Sequence, residues 1–378
     1  MNKKKILIVC QWPLGGIRTY LKYYYKYFPK DTYEISLLAK PSHESESVLK
    51  DMNDIGVKVI WAEPFMGIDV FFLKIFSVLR KGQFDIIHSQ GFISASHASI
   101  ANIFFKTYHI LTIHGILEDK YFNGITGKIK HFILKNLLKQ VNTFHGVGED
   151  ILTHFHSTYP IFKNKRYDSI VIKNGILTEK FTSQQQVSPQ EIKTKFSLSE
   201  DKIIFGFFGR FMPQKGFNYL IDAVEQIKNK NNNSPFVILC VGSGDYKAEY
   251  MAEITEKKLD DYFMFLPFQS DIASLIKVCN AVLMPSVWEA YPMQSSEILC
   301  SGIPLIASDC IGLREATVDT PAITIPAHDS SALKDAIMKV VNNPDIAKEF
   351  SLFQAEAAKR FDVKPLAEKL VAYFDKLG

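Results

Sequence analysis

Two glutamates, Glu289 and Glu297, lie eight positions apart in the segment MPSVWEAYPMQSSE. An apolar strand pattern ends where this segment begins, and Pro292 suits the first turn of a helix. The free amides at the start of such a helix, from Met293 and Gln294, favour a phosphate. The two carboxylates are therefore predicted to grip different parts of one extended ligand, although solvent-facing carboxylates on a helix often show the same spacing.

Two cations follow another apolar strand pattern, in the segment FGFFGRFMPQKG. Arg210 and Lys215 belong to the loop after that strand, and Gly209 and Gly216 permit a close approach of its backbone. Arginine offers a fork to phosphate oxygens and lysine a point charge, so the pair suits a diphosphate and would stabilise negative charge on a departing one. Ordinary surface charges would give the same residues, and the loop alone leaves both interpretations open.

Other chemistries leave no comparable pattern in the sequence. It contains no Asp-x-Asp pair and no clustered His and Cys spacing for zinc. The glycines of CVGSGDY continue as Asp-Tyr-Lys and no predicted strand is followed by GxGxxG, which disfavours a nicotinamide dehydrogenase. Basic residues are spread through the first half without an aromatic-interleaved stripe, so nucleic-acid binding is not expected.

Short apolar runs alternate with longer helical patterns along the whole chain, which predicts parallel sheets covered by helices on both faces. In the first half we predict a helix over residues 17–28 and strands over residues 5–10, 33–39, 57–61, 84–88, 108–113, 143–147 and 169–173. In the second half we predict helices over residues 217–228 and 292–300 and strands over residues 203–208, 235–241, 263–267, 281–285, 304–308 and 322–325.

The chain has 378 residues, which exceeds the size at which one hydrophobic core usually stops growing. The polar segment TSQQQVSPQ, residues 182–190, lacks apolar periodicity and is the predicted linker. We therefore predict an N-terminal domain over residues 1–182 and a C-terminal domain over residues 183–362, with a ligand cleft between them.

The composition, with 47% hydrophobic and 22% charged residues, is that of an ordinary folded protein. No apolar run reaches the roughly 18 residues that a membrane span needs. The start MNKKKILIVC has too short an apolar stretch for a signal peptide, and we interpret it as a buried strand. Five cysteines without a CxxC pair fit a reducing cytoplasm.

Charge is distributed unevenly along the chain. Residues 1–182 carry 24 Lys and Arg against 15 Asp and Glu, whereas the remainder carries 20 against 25. This asymmetry indicates either an anionic partner for the first half, such as a phospholipid surface or a lipid-phosphate acceptor, or a solvated basic face without a partner. Residues 128–139, KIKHFILKNLLK, and residues 65–79 are amphipathic and could lie on a membrane, but a core-facing helix is the more common explanation.

Taken together, these segments resemble the family-4 glycosyltransferases of the GT-B fold over nearly the whole chain. In the second half the resemblance rests on GRFMPQKGFNYLIDA, CVGSGDY and PSVWEAYPMQSSEILCSGIPLIASD, in that order. In the first half it rests on GGIRTYL, FDIIHSQ, TIHG and VIKNGILTEKF. The resemblance implies two Rossmann-like α/β domains and a C-terminal helix, residues 363–378, that packs back on the first domain.

The resemblance also implies a role for each candidate residue. Glu289 would contact the hydroxyls of a donor sugar, and Glu297 would contact the ribose hydroxyls of its nucleotide. Arg210 and Lys215 would hold the diphosphate. The other donor-binding positions implied in this region are Ala290, Tyr291, Met293 and Gln294.

Three residues of the first half complete the implied site. Gly15 and Gly16 would bring their backbone close to the phosphates, and His114 would sit over the sugar to orient it or to support an oxocarbenium-like transition state. A lone histidine after a strand is more often a satisfied core residue. The chain departs from the common family pattern at Ala290 and at Pro292, where many members have glycines and where proline offers no amide donor.

The implied activity is a retaining transfer of a hexose or N-acetylhexosamine from a nucleotide-diphosphate sugar to a hydroxyl of a glycan or lipid-linked acceptor. UDP is preferred over GDP as the carrier, and base recognition falls on residues 265–271. The leaving phosphate oxygen would help to deprotonate the acceptor, without a cofactor and without a metal.

Such an enzyme would serve cell-surface polysaccharide or glycolipid synthesis in the cytoplasm, either free or peripheral on the inner face of the membrane. Two alternatives stay open. One is a non-catalytic sugar-nucleotide-binding partner subunit, which the departures at Ala290 and Pro292 allow. The other is a nucleotide-sugar epimerase of the same fold, against which the paired glutamates argue.

Overall fold

The first strand of the chain, Lys4–Val9 (β1), is an apolar run whose last four residues are fully buried. Burial on both faces is typical of a central strand in a parallel sheet, because helices cover each side. The computed structural model describes residues 3–63, 70–183, 189–197, 202–230, 236–267, 269 and 271–377. The chain divides into two units, Met1–Gly175 with Val363–Gly378, and Ile176–Asp362.

After β1, helices and strands alternate through the first unit: Gly15–Tyr25 (α1), Tyr33–Ala39 (β2), Ser45–Ile55 (α2), Lys58–Trp61 (β3), Phe71–Gly82 (α3), Ile86–Gln90 (β4), Gly91–Asn102 (α4), Tyr108–Ile113 (β5), Gly124–Leu138 (α5), Thr143–Gly146 (β6), Glu149–Thr158 (α6) and Asp168–Val171 (β7). The strands form one parallel sheet in the order β3-β2-β1-β4-β5-β6-β7. The strand order reverses between β1 and β4. Ligands of such sheets bind beyond the carboxyl ends of the strands at this switch point.

The second unit repeats this alternation: Glu179–Thr182 (α7), Pro189–Lys195 (α8), Ile203–Phe208 (β8), Phe217–Lys230 (α9), Phe236–Val241 (β9), Lys247–Glu256 (α10), Phe263–Leu266 (β10), Ile272–Val278 (α11), Ala281–Met284 (β11), Met293–Cys300 (α12), Leu305–Ser308 (β12), Leu313–Thr317 (α13), Ile323–Ile325 (β13), Ser330–Asn342 (α14) and Ile346–Arg360 (α15). Its parallel sheet has the order β10-β9-β8-β11-β12-β13. Here the switch point lies between β8 and β11, the strands that precede the two candidate charged loops.

The final helix, Val363–Asp375 (α16), belongs to the first unit and packs against α1. Phe374 meets Phe28 edge-on, with 5.4 Å between the ring centroids. The hydroxyl of Tyr33 donates a hydrogen bond to Asp375. The apolar stripe of this helix thereby closes the α1 face of the first sheet.

The boundary between the two units along the sequence falls between Gly175 and Ile176, whereas the prediction placed it after residue 182. The physical reason is that Ile176 pairs with Asp362 and donates its amide to the carbonyl oxygen of Phe361 at 2.9 Å, which ties it to the second unit. The predicted linker over residues 182–190 lies mostly outside the described residues.

The predicted α/β class with two Rossmann-like sheets is confirmed, and each predicted strand overlaps an observed one. Two elements of the first unit are displaced along the chain. Helix α1 begins at Gly15 and not at residue 17, and β4 covers Ile86–Gln90 and not residues 84–88. Asp85 was predicted to lie inside the strand, but it lies just before it. Its side chain accepts a hydrogen bond from the Lys5 amide at 2.7 Å.

Candidate functional site

The loops after β8 and β11 are joined at the carboxyl edge of the second sheet. Gly216 follows a single 3₁₀ turn, Pro213–Lys215, and has a left-handed φ of 67°. A Cβ atom at this position would lie 1.9 Å from the carbonyl oxygen of Pro285, so the two loops can approach this closely only at a glycine. Nε2 of Gln214 then donates to the carbonyl oxygen of Trp288 at 2.8 Å, which connects the loops a second time.

This junction brings Lys215 and Glu289 into contact. Nζ of Lys215 lies 2.6 Å from Oε1 of Glu289, and the Ser286 hydroxyl donates to the same oxygen at 2.8 Å. Glu289 is only 6% exposed, so this charge-assisted pair is largely shielded from water. Among the residues that the structure describes, none donates to the other oxygen, Oε2. The carboxylate is thus held through one oxygen and keeps the other for a ligand.

The backbone around Glu289 is held from the opposite side by the loop after β12. Its amide donates to the carbonyl oxygen of Ile311 at 3.0 Å. Gly312 has a φ of 79°, and a Cβ atom there would lie 2.2 Å from the carbonyl oxygen of Glu289 and 2.5 Å from that of Ala290. Any side chain at position 312 would therefore displace the loop that carries Glu289.

The sequence analysis placed Pro292 in the first turn of α12, but Pro292 is the N-cap of this helix. Its ψ of 123° is extended, so the helix begins at Met293. Glu297 lies about one turn into the helix, whereas Glu289 lies on the preceding loop. The two glutamates are thus not on one continuous helix, although both lie near its start. The backbone amides of Met293 and Gln294 stand at that start, where a helix lacks internal acceptors for them.

The side chains of this loop and helix start serve the fold. Nε2 of Gln294 donates to the carbonyl oxygen of Phe208, at the end of β8. Tyr291 is 3% exposed, and burial raises the pKa of its hydroxyl to about 12. Ala290 contributes only a methyl group. Of the predicted donor-binding positions, Ala290, Tyr291 and Gln294 therefore keep mainly backbone groups for a ligand.

Glu297 is half-buried, and desolvation raises the pKa of its carboxyl to about 7, while the positive charge of Lys180 opposes that rise. A carboxyl with this pKa changes its protonation state in the neutral range. Hydroxyl groups that donate to its charged form would lower the pKa again. A ligand hydroxyl that donates to Glu297 would therefore be coupled to this proton.

Arg210 is exposed on the loop after β8 and forms no ion pair with any residue of the described part of the chain. The loop beside it is tied to β9, because the Gly209 amide donates to the carbonyl oxygen of Val241 at 3.0 Å. A Cβ atom on Gly242 would lie 1.7 Å from the carbonyl oxygen of Gly209. The structure thus places one open cation and one paired cation, Lys215, on the same loop.

In the first unit, the predicted glycines open the helix that follows the switch strand β1. Gly15 has a φ of 53°, and both Gly15 and Gly16 are exposed at the start of α1. The N-cap residue Leu14 makes no side-chain capping bond. The first amides of α1 therefore lack a side-chain acceptor from the cap, as an anion-binding helix start requires.

His114 follows β5 at the same edge of the first sheet. Its Nε2 lies 2.8 Å from Oε1 of Gln90, the last residue of β4, and its ring meets that of Tyr20 edge-on at 4.9 Å. The amide oxygen can only accept, so Nε2 carries the proton and Nδ1 keeps its lone pair. Burial, with a smaller contribution from His145, lowers the pKa of His114 to about 3, so the ring is neutral at physiological pH.

Three residues that hold these groups were missed by the sequence analysis: Gln90, Ser286 and Gly312. Gln90 ends the segment FDIIHSQ beside the switch strand, so its place at the strand end was a usable signal. Nothing near Gly312 in the sequence points to Glu289, because their contact depends on the folded loops. The part of the chain that the structure covers contains no group of three or more His, Cys, Asp or Glu placed to hold a metal ion.

Two parallel-sheet α/β units, with sheets of seven and six strands, make up the GT-B fold. The family model "Glycosyl transferases group 1" matches residues 188–358, and the model "Glycosyltransferase Family 4" matches residues 14–180. The chain belongs to the group 1, family 4 glycosyltransferases and is an enzyme of the hexosyltransferase type.

The relatives are distant in sequence and cover between about half and four fifths of the chain. The UDP-Gal:alpha-D-GlcNAc-diphosphoundecaprenol alpha-1,3-galactosyltransferase of Escherichia coli is 24% identical over 82% of this chain and 81% of that protein. The lipopolysaccharide core biosynthesis mannosyltransferase LpsB of Rhizobium meliloti is 22% identical over 55% of this chain and 60% of that protein. The crystal structure of Anabaena Alr3699/HepE in complex with UDP-glucose superposes with a TM-score of 0.83 at 21% identity, covering 99% of this chain and 100% of that one.

Proposed function

We propose that the protein transfers a hexose or N-acetylhexosamine from a UDP-sugar, with retention of configuration, to a hydroxyl of a glycan or lipid-linked acceptor. The observation that carries this proposal is the Lys215–Glu289 pair, 2.6 Å long, next to the start of α12. It combines a cation for a diphosphate with a carboxylate that has one oxygen left for sugar hydroxyls.

The diphosphate of the donor binds Lys215, Arg210 and the first amides of α12, from Met293 and Gln294. Lys215 is fixed by its bond to Glu289 and the amides are fixed by the helix backbone, so charge that develops on the leaving diphosphate meets an organised positive field. Glu289 accepts hydrogen bonds from the sugar hydroxyls through Oε2. The Lys215 ammonium and the Ser286 hydroxyl both donate to Oε1 and hold the carboxylate in position.

The nucleoside part of the donor lies against the middle of α12. The carboxylate of Glu297 accepts hydrogen bonds from the two ribose hydroxyls. Two comparisons support uridine as the base, since the E. coli relative is named for UDP-Gal and the Anabaena structure holds UDP-glucose. Residues 265–271, to which the family resemblance assigns the base, include Phe268 and Ser270, which lie outside the described residues.

The family resemblance assigns three residues of the first unit to the donor, and this assignment stays a prediction. It gives the phosphates to the backbone of Gly15 and Gly16 at the start of α1 and the sugar to His114. His114 orients the sugar as a neutral ring, with Nδ1 as its acceptor, because Gln90 holds the proton on Nε2. A neutral imidazole supports positive charge on the sugar only through the oxygens that it orients, and not as a base that titrates in the working range.

Retention follows from a front-face displacement. The bond between the anomeric carbon and the diphosphate oxygen breaks, and the acceptor oxygen forms its bond on the same face. The acceptor proton passes to the departing phosphate oxygen, so the step needs no protein nucleophile. We also propose that Arg210, Lys215 and helix amides stabilise the leaving group without a divalent cation. Turnover that is lost in excess EDTA and restored by magnesium would contradict this part.

The acceptor is a growing polysaccharide or glycolipid at the cytoplasmic face of the membrane. Support comes from the relatives, one of which is named for a diphosphoundecaprenol acceptor and another for lipopolysaccharide core biosynthesis. The basic first half of the chain fits an acceptor that carries phosphate.

A donor screen tests the proposal. Release of UDP or GDP is followed with UDP-glucose, UDP-galactose, their N-acetyl forms and GDP-mannose, for the wild type and for Lys215→Met and Glu289→Gln. Lys348→Met and Glu349→Gln on α15 are the matched controls, because both side chains are exposed on the second unit. We expect one UDP-sugar to be hydrolysed slowly, the two site variants to lose that turnover and the controls to keep it.

Other outcomes identify the alternatives. Tight nucleotide-sugar binding without turnover, with every acceptor mixture tried, would support a non-catalytic binding subunit. Conversion of the donor into an isomeric sugar nucleotide without transfer would support an epimerase. Turnover that Glu289→Gln leaves intact would remove the site from the reaction, whatever the donor.

A further inference from the structure

Helix α5 turns most of its large apolar side chains to solvent. Of its fifteen residues, Gly124–Leu138, only Gly127 and Leu138 are buried. Four large apolar side chains are exposed to 50% or more: Ile125 (80%), Ile129 (53%), Phe132 (67%) and Ile133 (50%). Their spacing of four, seven and eight residues places them on one stripe of the helix. The amphipathic pattern of this segment is therefore not explained by a core-facing helix.

The neighbouring helix extends this exposed surface. Helix α4 packs between α3 and α5. At its two ends Ile93 is 62% exposed and Phe104, just beyond its last residue, is 73% exposed. Phe76 of α3 supports Phe104 from below, with ring centroids 5.6 Å apart. We define the apolar surface as the exposed side chains of α4 and α5: Ile93, Phe104, Ile125, Ile129, Phe132 and Ile133.

The charged residues on the three helices of this face have a single sign, and Glu118, just before α5, is paired with Lys120. Helices α3, α4 and α5 contain no Asp or Glu. On α5, Lys128 and Lys135 border one side of the exposed stripe and Lys130 borders the other. Lys106, which follows Phe104, is also exposed. A partner of the apolar surface therefore has to accept apolar side chains at the centre of the contact and lysine side chains at its rim.

We propose that the apolar surface docks the protein on an anionic phospholipid bilayer, with α5 lying in the interface. An interfacial helix buries its apolar stripe among the acyl chains while its lysines stay with the anionic headgroups. No helix among the described residues is long and apolar enough to cross a membrane. In this proposal α5 lies along the bilayer surface, and lipid binding needs no residue of the donor site on the second unit.

A second copy of the chain fits this face less well. In a two-fold dimer the same patch meets itself, so the lysine rim of one copy would face the lysine rim of the other. No carboxylate on the three helices is present to neutralise it. Like charges brought together in this way oppose association, whereas an anionic headgroup layer attracts them.

Vesicle flotation with the full chain tests the proposal. The vesicles contain phosphatidylcholine alone or phosphatidylcholine with phosphatidylglycerol. We expect the protein to float with the anionic vesicles, to float little with the neutral ones, and to be released by high salt. Ile129→Ser with Phe132→Ser removes part of the apolar centre, and Lys128→Gln with Lys130→Gln removes part of the rim. Each pair should lower the partition coefficient by about tenfold or more.

Matched controls separate this surface from general stickiness. Leu352→Ser removes an apolar side chain that is 84% exposed on α15, and Lys348→Gln removes an exposed cation on the same helix. Both controls should float like the wild type, and thermal unfolding should be similar for all variants, since the substituted side chains are exposed. Absence of flotation, or flotation that neither pair reduces, overturns the proposal. Self-association that Ile129→Ser with Phe132→Ser abolishes, without vesicle binding, overturns it in favour of a dimer interface.

Discussion

Lys215 and Glu289, 74 positions apart in the sequence, form a salt bridge of 2.6 Å at the carboxyl edge of the second sheet. The cation assigned to the diphosphate is thus already paired with the carboxylate assigned to the sugar. Each partner fixes the geometry of the other, since the bond is a short one between largely buried groups. The donor then meets an ammonium that has to share its hydrogen bonds between Glu289 and phosphate oxygens.

The two substitutions at this pair should have different effects on binding and turnover. Lys215→Met should weaken UDP binding and lower kcat/KM for the donor by about a hundredfold to a thousandfold. Glu289→Gln should lower turnover to a similar extent, yet bind UDP as tightly as the wild type or more tightly, because Lys215 loses its counter-ion. Calorimetry with UDP and kinetics with the UDP-sugar measure the two effects.

The double variant supplies the control for that prediction. If the pair acts as one unit, the effects on turnover should be non-additive by about 1–3 kcal/mol. Additive losses would mean that the two side chains act separately. A Glu289→Gln variant with strongly weakened UDP binding would place this carboxylate at the nucleotide and not at the sugar.

The sequence predicted the elements better than it predicted their junctions. Continuous apolar runs such as that of β8 are typical of parallel strands, and their order along the chain is sufficient for the fold class. Pro292 shows the limit of such rules. Proline suits a first helical turn, but here its ψ of 123° makes it the cap, and the helix begins one residue later. Propensity alone could not distinguish these two positions.

The particular side-chain contacts between distant segments could not be predicted. Gln90 holds His114, and Gly312 holds the loop of Glu289, through distances that only the folded sheet creates. The spacing of apolar residues along a helix leaves a similar question open. It predicts an amphipathic helix over residues 128–139, but the same pattern would describe a stripe that faces the core, and only burial decides between them.

Gly312→Ala should damage both stability and the donor site. The new Cβ would lie 2.2 Å from the carbonyl oxygen of Glu289, in a backbone conformation with a φ of 79°. We expect a loss of about 2–3 kcal/mol in the free energy of unfolding and a clear fall in donor turnover as the loop moves. Chemical unfolding and donor kinetics on the same preparation check this expectation.

Gly91→Ala is the matched control, because Gly91 has the same φ of 79° and a Cβ atom added there would meet no neighbouring atom within 4 Å. It should show only the cost of the left-handed backbone, about 1 kcal/mol. The difference between the two variants isolates the contact with Glu289. Full turnover in Gly312→Ala would show that the Glu289 loop does not need this support.

Donor binding should weaken as pH falls through neutrality. Burial raises the pKa of Glu297 to about 7, so the free protein takes up a proton there as the pH drops. The ribose hydroxyls need the ionised carboxylate as acceptor, and UDP affinity should fall by up to about tenfold per pH unit below that pKa. Calorimetry from about pH 8 to about pH 5.5 measures the slope.

The nucleotide phosphates also titrate near this range, so Glu297→Gln is needed as the reference. It should bind UDP more weakly at alkaline pH and show a flatter dependence that reflects the phosphates alone. Parallel slopes for the wild type and for Glu297→Gln would mean that this proton is not coupled to donor binding. Either result is independent of whether an acceptor has been identified.

Acid should unfold the first unit through its buried histidines. Burial lowers the pKa of four histidines below the usual value of 6.5. The pKa falls to about 3 for His109 and His114 and to about 4 for His145, and that of His88 is also well below 6.5. Two of the neutral rings are joined through the Thr112 hydroxyl. Oγ1 of Thr112 lies 2.5 Å from Nε2 of His88 and 2.9 Å from Nδ1 of His145. Protonation would break these bonds.

The direction of the pH dependence of stability follows from proton uptake by the unfolded chain. A histidine whose pKa is lowered in the folded state stabilises the protein fully above pH 6.5, and this contribution is lost as the pH falls from there towards 4. With four such groups, the free energy of unfolding should fall by up to about 5 kcal/mol per pH unit in that window. His109→Gln should reduce the slope, while His43→Gln, at a side chain 81% exposed, should leave it unchanged. Urea unfolding at several pH values measures these slopes, and equal slopes for His109→Gln and the wild type would show that this histidine is not buried as a neutral ring.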